Sequence, residues 1–302
     1  MQTPREVRWE RMFPDQLETA FAACPVVFMP YGICEPHGPQ NAVGLDGLKA
    51  HAICCAAARE HGGIVAPVDY WHVHECGGYA VWAHENIGER QPWLTAVPPW
   101  IHFKNVCYHL RAMDAAGFHA AILLTGHYGE NWKDLKTVVQ ILQLHFAMQV
   151  FGLPDFEANE AGFGDGGPNL DHAGRVETSQ LWALEPASVD MARMPPKEQE
   201  GPHFAMGSTA YETDRCVGER MVRGQIAWLG KKMKEMLSEY DTSKAHSRRP
   251  LSFEQVERLW ANEVFPQLPR FHSMQQLFEG QSKGPPRSSR WYLNWDVLKL
   301  GY

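Results

Sequence analysis

Apolar runs alternate with longer amphipathic segments through the first half of this 302-residue chain. The runs typical of buried strands cover residues 25–31, 64–67, 120–125 and 148–153. The segments with helical periodicity cover 46–61, a stretch that begins at Pro98-Pro99, and a stretch from about 131. Strands that alternate with helices in this way favour a parallel sheet covered on both faces. The sequence therefore predicts an α/β fold with a mostly parallel central sheet flanked by helices.

The second half of the chain is less regular. Residues 155–170 are acidic and rich in glycine, which predicts a loop, and Asp171 is suited to cap the helix that follows. An amphipathic helix is predicted over about 218–239, and a capping box predicts the start of another near 252–264.

The C-terminal segment carries Trp291 and Trp295 among prolines and serines, which is typical of an irregular arm. We expect one domain over residues 1–245, followed by a C-terminal helix and extended arm over 246–302. The arm must bury its tryptophans against the body or against a neighbouring subunit, because exposed tryptophans in such number are unfavourable.

The composition excludes several classes of partner. A net charge of -7 and the lack of a basic stripe argue against nucleic acid and anionic membranes. The sequence has neither a spanning apolar window nor the apolar core of a secretion signal near its first residues. Seven cysteines without a Cys-x-x-Cys pair predict reduced thiols. We therefore expect a cytoplasmic protein without nucleic-acid or membrane partners.

Two clusters of acidic residues and histidine each follow a predicted strand. Glu35 and His37, with Asp46 nearby, come after the first, and His127 with Glu130 comes after the third. Groups at the carboxyl ends of parallel strands converge on one crevice. Mixed imidazole and carboxylate ligands suit Zn²⁺, Mn²⁺ or Fe²⁺. The sequence therefore predicts two divalent metal ions, although Asp46 alone is also a plausible helix cap and His127 alone a buried core histidine.

Three segments carry a resemblance to a known family. Residues 31–39, Tyr-Gly-Ile-Cys-Glu-Pro-His-Gly-Pro, followed by Asp46, resemble the signature of the creatininase (creatinine amidohydrolase) family. Residues 125–131, Thr-Gly-His-Tyr-Gly-Glu-Asn, and 172–179, His-Ala-Gly-Arg-Val-Glu-Thr-Ser, resemble its second and third motifs. The resemblance covers about residues 20–185. It implies a three-layer creatininase-like fold, a dinuclear metal centre and a homo-oligomer, frequently a hexamer.

The resemblance also implies roles for single residues. It maps metal ligation onto Glu35, His37, Asp46 and His127, with Asp46 bridging the two ions. Creatininase itself has Gly-His-Tyr-Glu-Asn in the second motif, whereas this chain inserts Gly129 before the glutamate. The fifth ligand is therefore either Glu130 or Glu177, and we favour Glu177.

Proton transfer to the leaving group is assigned to His172, with Glu130 as the second candidate. The resemblance places His172 beside the metals, and imidazole titrates near working pH. A hydrogen-bonding histidine near a helix cap is the alternative for His172.

The substrate wall departs from the family pattern. Many members carry His followed by Phe-Pro-Gly-Thr, whereas residues 69–86 here are rich in aromatics and histidines. We expect the substrate to meet side chains from this segment and from the second motif, namely Trp71, His74, Trp82, His84 and Tyr128. A purely structural aromatic loop is the alternative.

These residues predict a metal-dependent hydrolase in which activated water opens a small cyclic amide or a related carbonyl compound. A small, polar, ring-shaped substrate fits the mix of donors and aromatics. The alternative is ring opening of an oxidised cyclitol (a keto-inositol) or of a sugar lactone, because the family includes formamide hydrolases and enzymes that open oxidised inositols. A non-catalytic, metal-stabilised assembly protein is a third hypothesis.

Overall fold

A four-stranded parallel sheet forms the centre of the protein. The computed structural model describes residues 5–158, 172–243 and 249–292. The sheet has the order β2-β1-β5-β6, with β1 at Val26–Tyr31, β2 at Ile64–Val65, β5 at Ala120–Thr125 and β6 at Gln149–Pro154. Two short parallel strands, β3 (His72–Val73) and β4 (Ala96–Val97), pair separately.

Eight α-helices lie within the described residues. They are α1 (Pro14–Ala23), α2 (Leu45–His61), α3 (Gly78–Asn86), α4 (Pro99–Ala116), α5 (Asn131–Gln143), α6 (Arg175–Leu184), α7 (Arg215–Glu239) and α8 (Phe253–Leu259). A turn of π-helix at Trp260–Val264 and short 3-10 turns follow α8.

Helices cover both faces of the sheet. Alternate residues of each central strand point to opposite faces and so join different cores. Val27 and Met29 of β1 join a core with residues of α4, α5 and α8. Val26 and Phe28 join a second core with residues of α2 and α7. The central strands are therefore apolar on both sides, which explains why the sequence shows continuous apolar runs there.

The C-terminal region packs on the body of its own chain. Trp260 is buried in the core that contains α4 and α5. Trp291 is buried against α3, and its indole nitrogen donates to the carbonyl of Gly88 at 2.7 Å. The division at residue 245 stays a prediction, and Trp295, Asp171 and most of the predicted 155–170 loop lie outside the described residues.

The predicted alternation of strands and helices is confirmed, and so is the mostly parallel sheet between helices. The sequence interpretation missed α1, α3 and the β3–β4 pair, whose strands have only two residues each. The helix predicted at 218–239 begins earlier, where the Asp214 side chain caps Cys216 and Val217. Among the described residues, the helices are too short or too polar to span a bilayer.

Candidate metal centre

Two glycines bring helix α2 against the ends of the two central strands. A Cβ atom at Gly32, after β1, would lie 2.2 Å from the backbone nitrogen of Gly47. One at Gly126, after β5, would lie 2.2 Å from the carbonyl oxygen of Asp46. The first turn of α2 therefore packs directly on both strand ends. This contact places the carboxylate of Asp46 between the two acid–histidine clusters.

Asp46 faces a histidine from each cluster. Its Oδ2 lies 3.1 Å from Nδ1 of His127, and its Oδ1 lies 3.2 Å from Nε2 of His37. The Oε1 atom of Glu35 is 2.9 Å from the same Nδ1 of His127. All four side chains are buried. The four residues predicted from the first two motifs thus meet at one point.

Glu177 comes to this point from the other side, at the first turn of α6. Its Oε2 lies 3.6 Å from Nε2 of His37 and accepts a hydrogen bond from the amide of Ala173. Glu130, by contrast, pairs with Lys133 at 2.9 Å and with His272 at 3.0 Å. The structure therefore brings Glu177, not Glu130, to His37 and Asp46.

The potential ligand atoms form groups that share residues. In one group the ligand atoms come from Glu35, Asp46 and His127, and in another from His37, Asp46 and Glu177. The atoms within each group lie within 4.8 Å of one another. Asp46 belongs to both groups, which is the arrangement required of a bridging carboxylate.

Several buried atoms of this cluster are not satisfied by the protein. Within the described residues, Glu35 Oε1, His37 Nε2 and Asp46 Oδ1 have no hydrogen-bond partner. The Nδ1–H of His37 points to the carbonyl of Glu35, at 3.1 Å, so that its Nε2 lone pair faces carboxylate oxygens. Lone pairs that face one another in a buried site repel unless a cation or proton lies between them.

The electrostatics favour positive charge in the cluster. Burial alone would lower the pKa of His37, but the nearby carboxylates, Asp46 first, raise this pKa to about 9. Burial likewise opposes the charged form of His127, whereas Glu35 and Asp46 raise its pKa to about 10. Without metal, the imidazoles of His37 and His127 would therefore be protonated at neutral pH. The protons would occupy the positions at which cations can bind.

His74 orients the carboxylate of Glu35. The amide N–H of Glu75 donates to Nδ1 of His74, so the ring proton resides on Nε2. That Nε2 lies 3.2 Å from Oε2 of Glu35, whose other oxygen faces His127. His74, which we predicted as a substrate residue, thus contacts a candidate metal ligand.

The sequence interpretation missed a buried lysine beside the cluster. Lys49 lies one helical turn after Asp46, and its ammonium group is 3.1 Å from Asp155 Oδ2 and 3.4 Å from Glu177 Oε1. It also lies 3.9 Å from the ring centroid of Tyr128, whose hydroxyl donates to Asp155. Burial would lower the pKa of Lys49, but the two carboxylates raise it. The spacing of three residues from Asp46 was the available signal.

His172 lies where the cluster meets a cavity. Its ring stacks on His37 with centroids 4.3 Å apart, and its Nε2–H donates to the carbonyl of Pro36 at 2.7 Å. Burial and the neighbouring His37 lower its pKa to about 4, so the ring is neutral at pH 7. Nδ1 is consequently the ring atom able to accept a proton.

A cavity of about 600 Å³ adjoins His172, and Trp82 forms part of its wall beside Lys197 and Tyr211. The Trp82 and His172 rings are 4.6 Å apart. The lining also includes His203 and Ala205, which together with Phe204 are three successive non-glycine residues in the left-handed region. Such backbone strain costs about 1–3 kcal/mol per residue and is concentrated at functional sites.

Of the five predicted substrate residues, Trp82 lines this cavity, whereas the other four do not. His74 faces Glu35, and Tyr128 faces Asp155 and Lys49. Trp71 is 57% exposed. His84 faces the C-terminal arm, where its Nδ1 is 3.2 Å from Ser289 Oγ. Neither residue lines the cavity beside His172.

Comparison with known proteins agrees with the three motifs. The family model for creatininase, described as creatinine amidohydrolase, matches residues 10–234. The chain belongs to the creatininase family. The recognition made from the motifs is thereby confirmed, and the protein is a hydrolase of this family, of the amidohydrolase type. A curated relative, creatinine amidohydrolase of Pseudomonas putida, is 24% identical over 187 residues, which are 56% of this chain and 68% of that protein.

Solved structures of creatininases share the fold. A crystal structure of creatinine amidohydrolase (creatininase) superposes with a TM-score of 0.63 at 20% identity, over 77% of this chain and 98% of that one. A creatininase described as the Mn form gives 0.61 at 22% identity, over 77% and 99%. A mutant of the Zn-Zn type gives 0.60 at 21% identity, over 77% and 98%. The predicted creatininase-like fold is confirmed.

Proposed function

We propose that this creatininase-family protein uses two divalent metal ions to hydrolyse a carbon–nitrogen bond in a small cyclic amide. The observation that carries the proposal is the pair of ligand groups that share Asp46. Glu35, Asp46 and His127 would hold one cation. His37, Asp46 and Glu177 would hold the other, and Asp46 would bridge the two.

The donor atoms fit such cations. Oxygen and imidazole nitrogen together suit Zn²⁺, Mn²⁺ or Fe²⁺, whereas Mg²⁺ and Ca²⁺ prefer oxygen alone. The unsatisfied Nε2 of His37 and Oδ1 of Asp46 lie where a cation would relieve their repulsion. The Mn and Zn-Zn forms of solved creatininases support the same choice.

His172 is the candidate for proton transfer between the attacking water and the departing nitrogen. When bound, a pair of divalent cations makes water acidic and polarises a carbonyl group. Nδ1 of His172 accepts the proton that the attacking water gives up, because Nε2–H is already committed to the Pro36 carbonyl. The same imidazole would then return that proton to the departing nitrogen.

The cavity beside His172 limits the substrate to a small molecule. Its volume of about 600 Å³ matches the pockets of small ligands, which are commonly about 300–1,000 Å³. Trp82 offers an aromatic face against which a flat ring can pack, while Lys197 and His203 supply polar contacts. A small, polar, ring-shaped amide satisfies both features.

The test is a substrate screen with matched variants. The purified protein, reloaded with Zn²⁺, Mn²⁺ or Fe²⁺, is incubated with creatinine, other cyclic amides, N-formyl compounds, lactones and keto-inositols. Mass spectrometry detects a product that has gained one water. We expect turnover of a cyclic amide by the wild type and none by Asp46→Asn.

Other outcomes decide against the proposal in defined ways. Turnover confined to lactones or keto-inositols would replace the cyclic amide with the alternative substrate class. A wild-type protein that binds metal but turns over none of these compounds would favour the assembly role.

A further inference from the structure

Position 129 cannot carry a side chain in this protein. A Cβ atom there would lie 2.6 Å from Cε1 of Tyr79 and 2.8 Å from Nε2 of His127. Tyr79 cannot withdraw, since its hydroxyl accepts from the amide of Asn131 at 2.9 Å and its ring packs on Phe278. The loop after His127 therefore cannot supply a carboxylate at the position where creatininase itself has glutamate.

Glu177 approaches His37 from α6, and its carboxylate also contacts the ammonium group of Lys49. Its Oε2 faces Nε2 of His37 at 3.6 Å, while its Oε1 lies 3.4 Å from the ammonium group of Lys49. One carboxylate oxygen is thus directed to the cluster and the other to the lysine. The glutamate side chain rotates about three bonds, so contact with His37 alone would not fix its carboxylate. The contact with Lys49 restricts which of the two oxygens faces His37.

Lys49 is itself immobilised. The side chain is fully buried, and its ammonium group is paired with Asp155 and stacked against the ring of Tyr128. Fully buried lysines are rare unless they are paired. Lys49 and Asp46 lie three residues apart on α2, so their side chains lie on one face of the helix. That face carries both the Asp46 carboxylate, which belongs to both ligand groups, and the ammonium group that contacts Glu177.

We propose that Lys49 is the positioning residue for the His37–Asp46–Glu177 cation site. It holds Glu177, which supplies the carboxylate that the loop at Gly129 cannot supply. The inference rests on the proposed two-cation centre and adds a residue specific to one half of it. The Glu35–Asp46–His127 half has its own positioning residue in His74, so it does not depend on Lys49.

The experiment measures Mn²⁺ binding rather than turnover. The main variant is Lys49→Met with Asp155→Asn, which removes both charges of the buried pair and so leaves the net charge of the interior unchanged. Mn²⁺ content after dialysis is measured by mass spectrometry of the metal, and electron paramagnetic resonance distinguishes coupled from isolated Mn²⁺. Circular dichroism verifies that the variant is folded.

We expect two Mn²⁺ per wild-type chain with a coupled spectrum. The double variant should retain one tightly bound, isolated Mn²⁺, with the second bound roughly 10–100-fold more weakly, which is the usual effect of losing a partner of a metal ligand. Asp155→Asn alone keeps Lys49 on Glu177 and should retain both ions. Asp134→Asn, a buried carboxylate that accepts from His272 and Ser273, controls for general destabilisation.

The results separate the inference from the proposed function. Two ions bound by the double variant with wild-type affinity would overturn the role of Lys49 and leave the two-metal centre intact. Loss of both ions together would also overturn it, because the role is specific to one site. A wild type that retains no Mn²⁺ would overturn the proposed function and this inference with it.

Discussion

Nδ1 of His127 lies 3.1 Å from Oδ2 of Asp46, although 81 residues separate them in the chain. The contact exists because β1 and β5 are neighbouring parallel strands and the first turn of α2 packs on the ends of both. The candidate ligands are therefore brought together by the sheet and not by any local motif.

His74→Phe should weaken metal binding at the Glu35–Asp46–His127 site by roughly 10–100-fold, since the Nε2–H that orients Glu35 is lost. Isothermal titration with Zn²⁺ or Mn²⁺ measures the change. His74→Gln keeps a nitrogen donor and should recover much of the affinity. Equal binding by the wild type and His74→Phe would show that Glu35 needs no such support.

His172→Gln should lower kcat by about 10²–10⁴-fold, the usual contribution of a positioned acid or base. Glutamine can still donate to the carbonyl of Pro36 but lacks the Nδ1 lone pair. Metal content and melting temperature should stay near those of the wild type. Unchanged kcat on the substrate found in the screen would remove His172 from the mechanism.

The chelator-treated protein should lose stability as the pH rises from 7 to 10. The pKa values of His37 and His127 are raised to about 9 and about 10, above the unfolded value near 6.5. Their stabilising contribution is therefore complete below about 6.5 and is lost as the pH passes through the folded values. Urea unfolding at each pH measures this loss.

His37→Gln is the control for this pH dependence. Without the His37 imidazole, the decline between pH 7 and 10 should be shallower. Metal-loaded wild type should also decline less, because metal binds the neutral imidazoles. Identical slopes for the wild type and the variant in chelator would contradict the assigned cause.

Trp291→Ala should lower the free energy of unfolding by about 3–5 kcal/mol, as expected for a buried aromatic side chain. Trp291 is 1% exposed and packs on α3, the helix that carries Tyr79 and Trp82. The neighbouring Tyr292 is 38% exposed, so Tyr292→Ala should change stability by less than about 0.5 kcal/mol. Similar small effects for both would mean that the arm does not support α3.

The sequence predicted the core of this protein because apolar runs and strand ends follow simple rules. The runs at 25–31 and 120–125 are the paired strands β1 and β5, and the clusters after them meet as parallel strand ends must. The three motifs added Glu177 and His172, which lie far along the chain. The homo-oligomer implied by the resemblance stays a prediction.

Other parts of the site were not predicted from the sequence. Lysines are most often exposed, so Lys49 in a small-residue helix gave no hint of burial. The sequence predicted that Asp155 opens an acidic loop, but Asp155 is buried with Lys49. His84 and Trp71 belong to the aromatic segment that we predicted as the substrate wall. Neither lines the cavity, which Trp82 reaches together with Glu85 and Asn86. Short elements of this kind depend on tertiary contacts and not on periodicity.

Anomalous X-ray scattering from crystals grown with Mn²⁺ or Zn²⁺ tests the two-metal centre most directly. We predict two anomalous peaks about 3.5–4 Å apart, one on each side of the Asp46 carboxylate. One peak should lie beside Glu35 and His127, and the other beside His37 and Glu177. Crystals that show no anomalous peak within reach of Asp46 would contradict the account.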